Sequence, residues 1–217
     1  MTAATTLAWL IALFIAISLL WRLFSQRQAL PCPSWLGWMV ELDNPFARTH
    51  QADFIVRQMQ LAPGMTGLDA GCGPGRLSVP LAKAVGLTGS VIAADLQTGM
   101  LARVNAKAQH AGIDNIDTRI VALGQGALET NHYDRVVMAA VLGEIPDARA
   151  ALTELFGCLK PGGLLAIAEL IFDPHFQRCG KVRALAEAAG FREHAHFGNA
   201  VAYLILLERP GQAITPS

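Results

Sequence analysis

The stretch Gly67-Leu68-Asp69-Ala70-Gly71-Cys72-Gly73-Pro74-Gly75 decides how the chain is read. A short apolar run closes on Asp69, and glycines then stand at alternate positions. Residues 76–85 follow with helical spacing of Leu77, Leu81 and Ala84. A strand, a glycine turn and a helix in that order form the layout of a nucleotide-binding crossover. Glycine lets backbone approach a ligand closely and adopt positive φ, and a helix start offers free N–H groups. Taken alone, the stretch also fits a plain glycine turn. A dinucleotide fingerprint would place glycine or alanine at position 76, where the chain has Arg76.

Working outward, a turn at 61–65 leads into a first strand at 66–69. A second strand at 91–95, Val-Ile-Ala-Ala-Asp, ends on Asp95. Helix-compatible sequence covers 98–111, a third strand 116–121, and a fourth 135–140 around Val136, Val137 and Met138. A helix at 148–159 is stopped by Lys160-Pro161-Gly162-Gly163, and a fifth strand at 164–170 carries Glu169 near its end. A helix over 176–189 is closed by Gly190. Residues 191–197 and 201–207 pair as a hairpin across Gly198-Asn199. Strands alternating with helices predict an α/β fold, a mostly parallel sheet covered on both faces, with its last strand antiparallel.

The amino-terminal side has a different character. Residues 3–21 are almost unbroken apolar sequence without charge. As a helix this run is about 30 Å long, enough to cross a bilayer core. Trp9 and Trp21 stand near its ends, and Arg22 and Arg27 follow. It lacks the basic start and small-residue cleavage site of a signal peptide. Residues 1–30 are therefore expected to form a single transmembrane anchor with its juxtamembrane segment, the rest of the chain being cytoplasmic. Residues 31–60 are expected to serve as linker and substrate cover, with Trp35 and Trp38 at headgroup level or packed on the domain, and a helix over 44–60. Residues 61–210 then form the catalytic domain, and 211–217 a polar tail.

Composition narrows the partners. The 217 residues contain 17 Lys+Arg against 17 Asp+Glu, and nothing in that balance suggests nucleic acid as a partner. Cys32, Cys72, Cys158 and Cys179 lack ligand spacing, so no metal site is expected. The sequence sets no expectation for oligomeric state.

Over residues 60–209 the chain resembles the class I S-adenosylmethionine (SAM)-dependent methyltransferases. The pieces that carry this are 68–75, Asp95-Leu96, His132-Tyr133-Asp134-Arg135-Val136-Val137, Val141-Leu142-Gly143-Glu144-Ile145-Pro146, Leu159-Lys160-Pro161-Gly162-Gly163 and Glu187-Ala188-Ala189-Gly190-Phe191. The likeness is greatest to the branch with quinone and phospholipid methyltransferases. It implies a Rossmann-like seven-stranded sheet with a reversed last strand, and SAM as cofactor. Gly71, Gly73 and Gly75 would pass under the methionine and ribose of SAM, Asp69 would accept from its ammonium, and Asp95 would accept both ribose hydroxyls. Leu96 and Met100 would wall the adenine, and backbone at Leu123 would meet its edge. The family's acidic residue after the third strand is absent, since 121–126 reads Val-Ala-Leu-Gly-Gln-Gly, and Gln125 is the candidate replacement.

Methyl transfer needs a base only for a protonated acceptor. Glu144 and His175 are the leading candidates, with Glu169 and Asp173 nearby in sequence order. The short connection at 171–177 leaves little room for a substrate cover, which favours a lipid-soluble acceptor, such as a quinone or phospholipid-like molecule, reaching the site from the membrane. A soluble small-molecule acceptor, a nucleotide-dependent oxidoreductase and a non-catalytic tethered scaffold remain alternatives.

Overall fold

A computed structural model describes residues 47–211, together with Thr5, Thr6 and Trp9. Most of the apolar run at 3–21, the Trp35–Trp38 segment and the tail from 212 lie outside the described residues. Among the described residues no helix is long and apolar enough to cross a membrane.

Seven strands form one sheet: β1 (Thr66–Ala70), β2 (Ser90–Asp95), β3 (Ile116–Ile120), β4 (Tyr133–Ala139), β5 (Leu159–Leu170), β6 (Arg192–Gly198) and β7 (Ala202–Glu208). Their order is β3-β2-β1-β4-β5-β7-β6. β1 to β5 pair in parallel, and β7 runs antiparallel to both β5 and β6. Among residues 47–211 the α-helices are α1 (Ala52–Gln58), α2 (Ser78–Val85), α3 (Thr98–His110), α4 (Ala148–Cys158) and α5 (Cys179–Ala189).

The central strands are apolar on both faces because helices cover both faces of a parallel sheet. On one face Leu68, Ile92, Val136, Leu165 and Ile167 pack against Leu152 and Leu155 of α4 and Val182 of α5. On the other, Val91, Val137, Ala166, Leu204 and Leu206 meet Leu81 and Val85 of α2 and Ile55 of α1. Leu81, Leu152 and Leu155 are fully buried, and truncating any of them to alanine is worth about 2–5 kcal/mol. Asp147 caps α4 by accepting from the Ala150 N–H at 2.9 Å. Gly190 ends α5 in the left-handed region, as the sequence leads one to expect.

Several boundaries differ from the sequence reading. The described part of the helix expected over 44–60 is broken into a 3-10 turn, Arg48–His50, and the short α1. Gln51 between them is extended, with ψ 136°, and Arg76 Nη1 donates to the His50 carbonyl at 2.7 Å, holding the turn against the glycine loop. α1 is also core rather than linker: Ile55 and Met59 are fully buried, and Phe54 packs edge-on against Phe197 with ring centroids 5.6 Å apart. Residues 47–60 thus belong to the domain. α2 begins at Ser78, two residues later than expected, because Ser78 Oγ donates to Asp69 at 2.6 Å. The preceding helix does stop, at Cys158, but β5 starts at Leu159 rather than 164 and runs through the Lys160–Gly163 segment. There Lys160 Nζ donates to Asp134 Oδ2 at 2.8 Å, and the Gly162 N–H donates to the Arg209 carbonyl at 2.8 Å. α5 begins at Cys179 rather than 176, which lengthens the loop after β5.

Candidate functional site

The loop after β1 turns at the point where the strand order reverses, with β2 on one side and β4 on the other, the position at which open α/β sheets bind ligands. The Gly71 and Cys72 N–H groups both donate to the Ala94 carbonyl, at 2.8 and 2.9 Å, tying the loop to β2. Gly71 has φ +74°, and a Cβ there would fall 2.5 Å from Val141 Cγ1. Gly73 has φ +50°, and a Cβ there would meet nothing within 4 Å. One glycine is thus required by packing, while the other borders open space where backbone can lie against a ligand. Gly75 turns the chain toward α2, its N–H donating to the Cys72 carbonyl at 3.0 Å.

Asp95 stands at the carboxyl end of β2 and is joined to this loop. Its Oδ2 accepts from the Gly73 N–H at 2.9 Å and its Oδ1 from the Gln97 N–H at 2.8 Å. The carboxylate and the glycine backbone therefore form one cradle. Leu96, beside it, is 59% exposed, whereas Met100 is buried and faces away from solvent. Asp69 lies beneath the loop, 2% exposed, with Ser78 Oγ on its carboxylate. Burial pushes its pKa up to about 6, against the opposing pull of the Ser78 hydrogen bond and the Arg76 charge. In this arrangement Asp69 anchors the start of α2 under the cradle. Leu123 is half-buried in the loop after β3 and packs against the main core.

The loop after β3, which lacks an acidic residue of its own before Glu129, is held by a carboxylate on α4. Glu154 accepts from the Leu128 N–H at 2.9 Å and from the Gly124 N–H, holding both ends of the 124–128 segment. Gln125 is exposed there. Sequence reading missed Glu154 because its contacts lie 26 and 30 residues away, and no local motif signals such a reach.

The second group of residues collects beyond β4 and β5. Glu144 ends a 3-10 turn, Leu142–Glu144, and His175 lies in the loop after β5. His175 Nδ1 is 3.6 Å from Glu144 Oε1 and 4.0 Å from Asp173 Oδ1, and its side chain is 5% exposed. The two elements are in direct contact, since a Cβ at Gly143 would fall 1.9 Å from the His175 carbonyl oxygen. Gln177 organises the loop: its Nε2 donates to the His175 carbonyl at 2.7 Å, and its own carbonyl accepts from Tyr203 Oη at 2.7 Å. The Gln177 N–H donates to Glu169 Oε2 at 3.0 Å. Glu169 is 1% exposed, and its Oε1 has no partner among the described residues. Burial raises its pKa to about 8, with the Asp173 and Glu144 charges adding to the effect. A neutral carboxyl is what that environment favours at pH 7. The sequence reading had placed Glu144, Glu169, Asp173 and His175 near strand ends, and the structure gathers them around one loop.

A cofactor with a nucleoside end and a compact charged end fits the cradle, because Gly73 opens to space beside a carboxylate already aligned by backbone N–H groups. The comparisons agree. Residues 68–163 match the family described as "Methyltransferase domain". A demethylmenaquinone methyltransferase of Oceanobacillus iheyensis is 32% identical over 114 residues, covering 52% of this chain and 48% of the relative. One from Staphylococcus saprophyticus is 32% identical over 135 residues, covering 59% and 55%. The chain thus spans about half the length of the curated relatives it matches. A solved SAM dependent methyltransferase from Aquifex aeolicus superposes with TM-score 0.73 at 22% identity, covering 82% of this chain and 98% of its own. The [4+2]-cyclase SpnF superposes with TM-score 0.66 at 15% identity, covering 74% and 80%. At such identities the superposition speaks for the fold, and the reaction has to be argued from the site. With the matched family, the fold and the cradle in agreement, residues 68–163 resemble a SAM-dependent methyltransferase domain, whose cofactor SAM the cradle fits.

Proposed function

We propose that the chain transfers a methyl group from SAM to a small, lipid-soluble acceptor of the quinone type, tethered to a membrane by residues 3–21 with the domain on the cytoplasmic side. The observation that carries the reading is the Glu144–His175 pair, at 3.6 Å, beyond the strands next to the cradle. The names of the relatives support the acceptor class, and the uncharged apolar run followed by Arg22 and Arg27 supports the tether.

SAM when bound supplies an electrophilic methyl group on a sulfonium, and its carbon–sulfur bonding pair stays with sulfur on transfer. The chain's own contribution is orientation and proton handling. Asp95 would hold ribose hydroxyls, and the backbone around Gly73 would lie along the ligand. His175, with Glu144 near its Nδ1 and the Gln177 side chain on its carbonyl, would take the proton of a hydroxylated ring such as a reduced quinone. Removing that proton raises electron density on the ring, which would then form the new bond to the methyl carbon as the carbon–sulfur bond breaks, the substituted ring carbon afterwards releasing its own hydrogen as a proton to restore the aromatic ring.

The test is reconstitution of the full chain into vesicles carrying a demethylated, reduced naphthoquinone, with methyl-labelled SAM. Labelled quinone in the extract is the expected product. Turnover of water-soluble acceptors alone would favour a soluble substrate instead.

A further inference from the structure

We propose that Phe172 and Val201 form a bilayer-docking lip, so that the β5–β7 side of the sheet's carboxyl edge rests on lipid; this rests on the reading of residues 3–21 as an anchor. Phe172 is 81% exposed and Val201 46%. They come from separate connections, the loop after β5 and the β6–β7 turn, and the Ile171 N–H donates to the Val201 carbonyl at 2.7 Å to join them. Single exposed apolar side chains are ordinary on a protein surface, so position has to carry the inference.

Two features of position do so. First, the lip borders the loop that carries His175, the proposed proton acceptor, three residues from Phe172 in sequence. Second, the chain arriving from the amino-terminal side joins the domain at this same edge. The 3-10 turn Arg48–His50 touches β5, β6 and β7, and a Cβ at Gly198 would come 3.0 Å from Thr49 Cγ2. The described chain thus resumes, at Ala47, on the side of the domain that bears the lip. Arg48, Arg178 and Lys181 are exposed on the turn and at the start of α5, the charge sign that anionic headgroups attract.

The topology divides the edge in two. The SAM cradle belongs to β1 and β2, and the lip to β5 and β7, with β4 between. Docking by the lip leaves the cradle side open to water. A lipid-soluble acceptor then reaches Glu144 and His175 from the bilayer, while the water-soluble cofactor enters over β1 and β2. This geometry adds the bilayer to the loop after β5 as substrate cover.

The experiment places a nitroxide at Phe172→Cys, Val201→Cys or Asp114→Cys in the full chain, in a background carrying Cys32→Ser and Cys179→Ser. The chain is reconstituted in nanodiscs of phosphatidylcholine and phosphatidylglycerol. Asp114 is exposed in the connection before β3, at the opposite end of the sheet, and serves as the aqueous reference. SAM binding by calorimetry reports that each labelled chain is folded. The expected result is a reversal of collision preference: oxygen over nickel ethylenediaminediacetate at 172 and 201, nickel complex over oxygen at 114. Co-purification with discs but an aqueous pattern at 172 and 201 would overturn the docking lip alone. Failure to co-purify would overturn the anchor and the lip with it.

Discussion

His175 Nδ1 lies 3.6 Å from Glu144 Oε1, a contact between the turn after β4 and the loop after β5 that only the absence of a side chain at Gly143 permits. If His175 takes the acceptor's proton, His175→Asn lowers kcat by roughly 10²- to 10⁴-fold. SAM affinity stays unchanged, because the cradle is built on other strands. Glu144→Gln gives a smaller loss in the same direction. Single-turnover kinetics beside calorimetric SAM binding separate the two effects, and an unaltered kcat in His175→Asn would remove the base from the mechanism.

Asp95 sets the second expectation. Asp95→Asn keeps an oxygen for the Gly73 or Gln97 N–H but loses the charge offered to ribose hydroxyls. Charged hydrogen bonds contribute about 1.5–3 kcal/mol, so SAM Kd should rise roughly 10- to 100-fold. Thermal stability in the absence of SAM should also fall, because one of the two backbone N–H groups loses its acceptor, so the Kd is read on chain shown to be folded at the assay temperature.

Gly71 and Gly73 should separate packing from ligand approach. Gly71→Ala drives a methyl group to 2.5 Å from Val141 in a backbone with φ +74°. A loss of about 2–4 kcal/mol of stability follows from strain and overpacking together. Gly73→Ala adds a methyl group with no neighbour within 4 Å. It costs about 1–2 kcal/mol of backbone strain and weakens SAM binding by more than that strain alone explains. Chemical denaturation of both variants, with and without SAM, reads the difference.

Glu169 makes stability depend on pH. Its folded pKa, about 8, lies above the ordinary 4.5, so the folded state binds more protons across that interval. Stability contributed by the neutral carboxyl is therefore whole below pH 4.5, is lost as pH rises, and is gone above pH 8. The slope is at most about 1.4 kcal/mol per pH unit. Glu169→Gln removes this slope, so the variant gains on the wild type as pH rises from 5 to 8. Denaturation curves at pH 5, 6.5 and 8 test it, and parallel curves for the two proteins would show that the carboxyl titrates normally.

The sheet was legible because its signals are local. Alternating glycines after an apolar run, Asp95 closing β2, Gly190 closing α5 and Gly198-Asn199 between two strands all act within a few residues. The site was legible in part, since Gly73 and Asp95 meet in one cradle and Glu144 and His175 face one another. What escaped depends on distant partners. The helix expected through 44–60 is interrupted where Arg76 holds the His50 carbonyl. Glu154 reaches the 124–128 loop from α4, and Gln177 links β5, β7 and the His175 loop through its backbone and side chain. Asp69 also reads differently in space. The resemblance directs it toward the ligand, whereas burial and Ser78 turn it to the start of α2.

Incubating membranes that contain the full chain with methyl-labelled SAM, then partitioning the products between organic and aqueous phases, tests the central claim most directly. Label in the organic phase, reduced in parallel by Asp95→Asn and His175→Asn, is the predicted result. Label confined to the aqueous phase, or organic label indifferent to both substitutions, would contradict it.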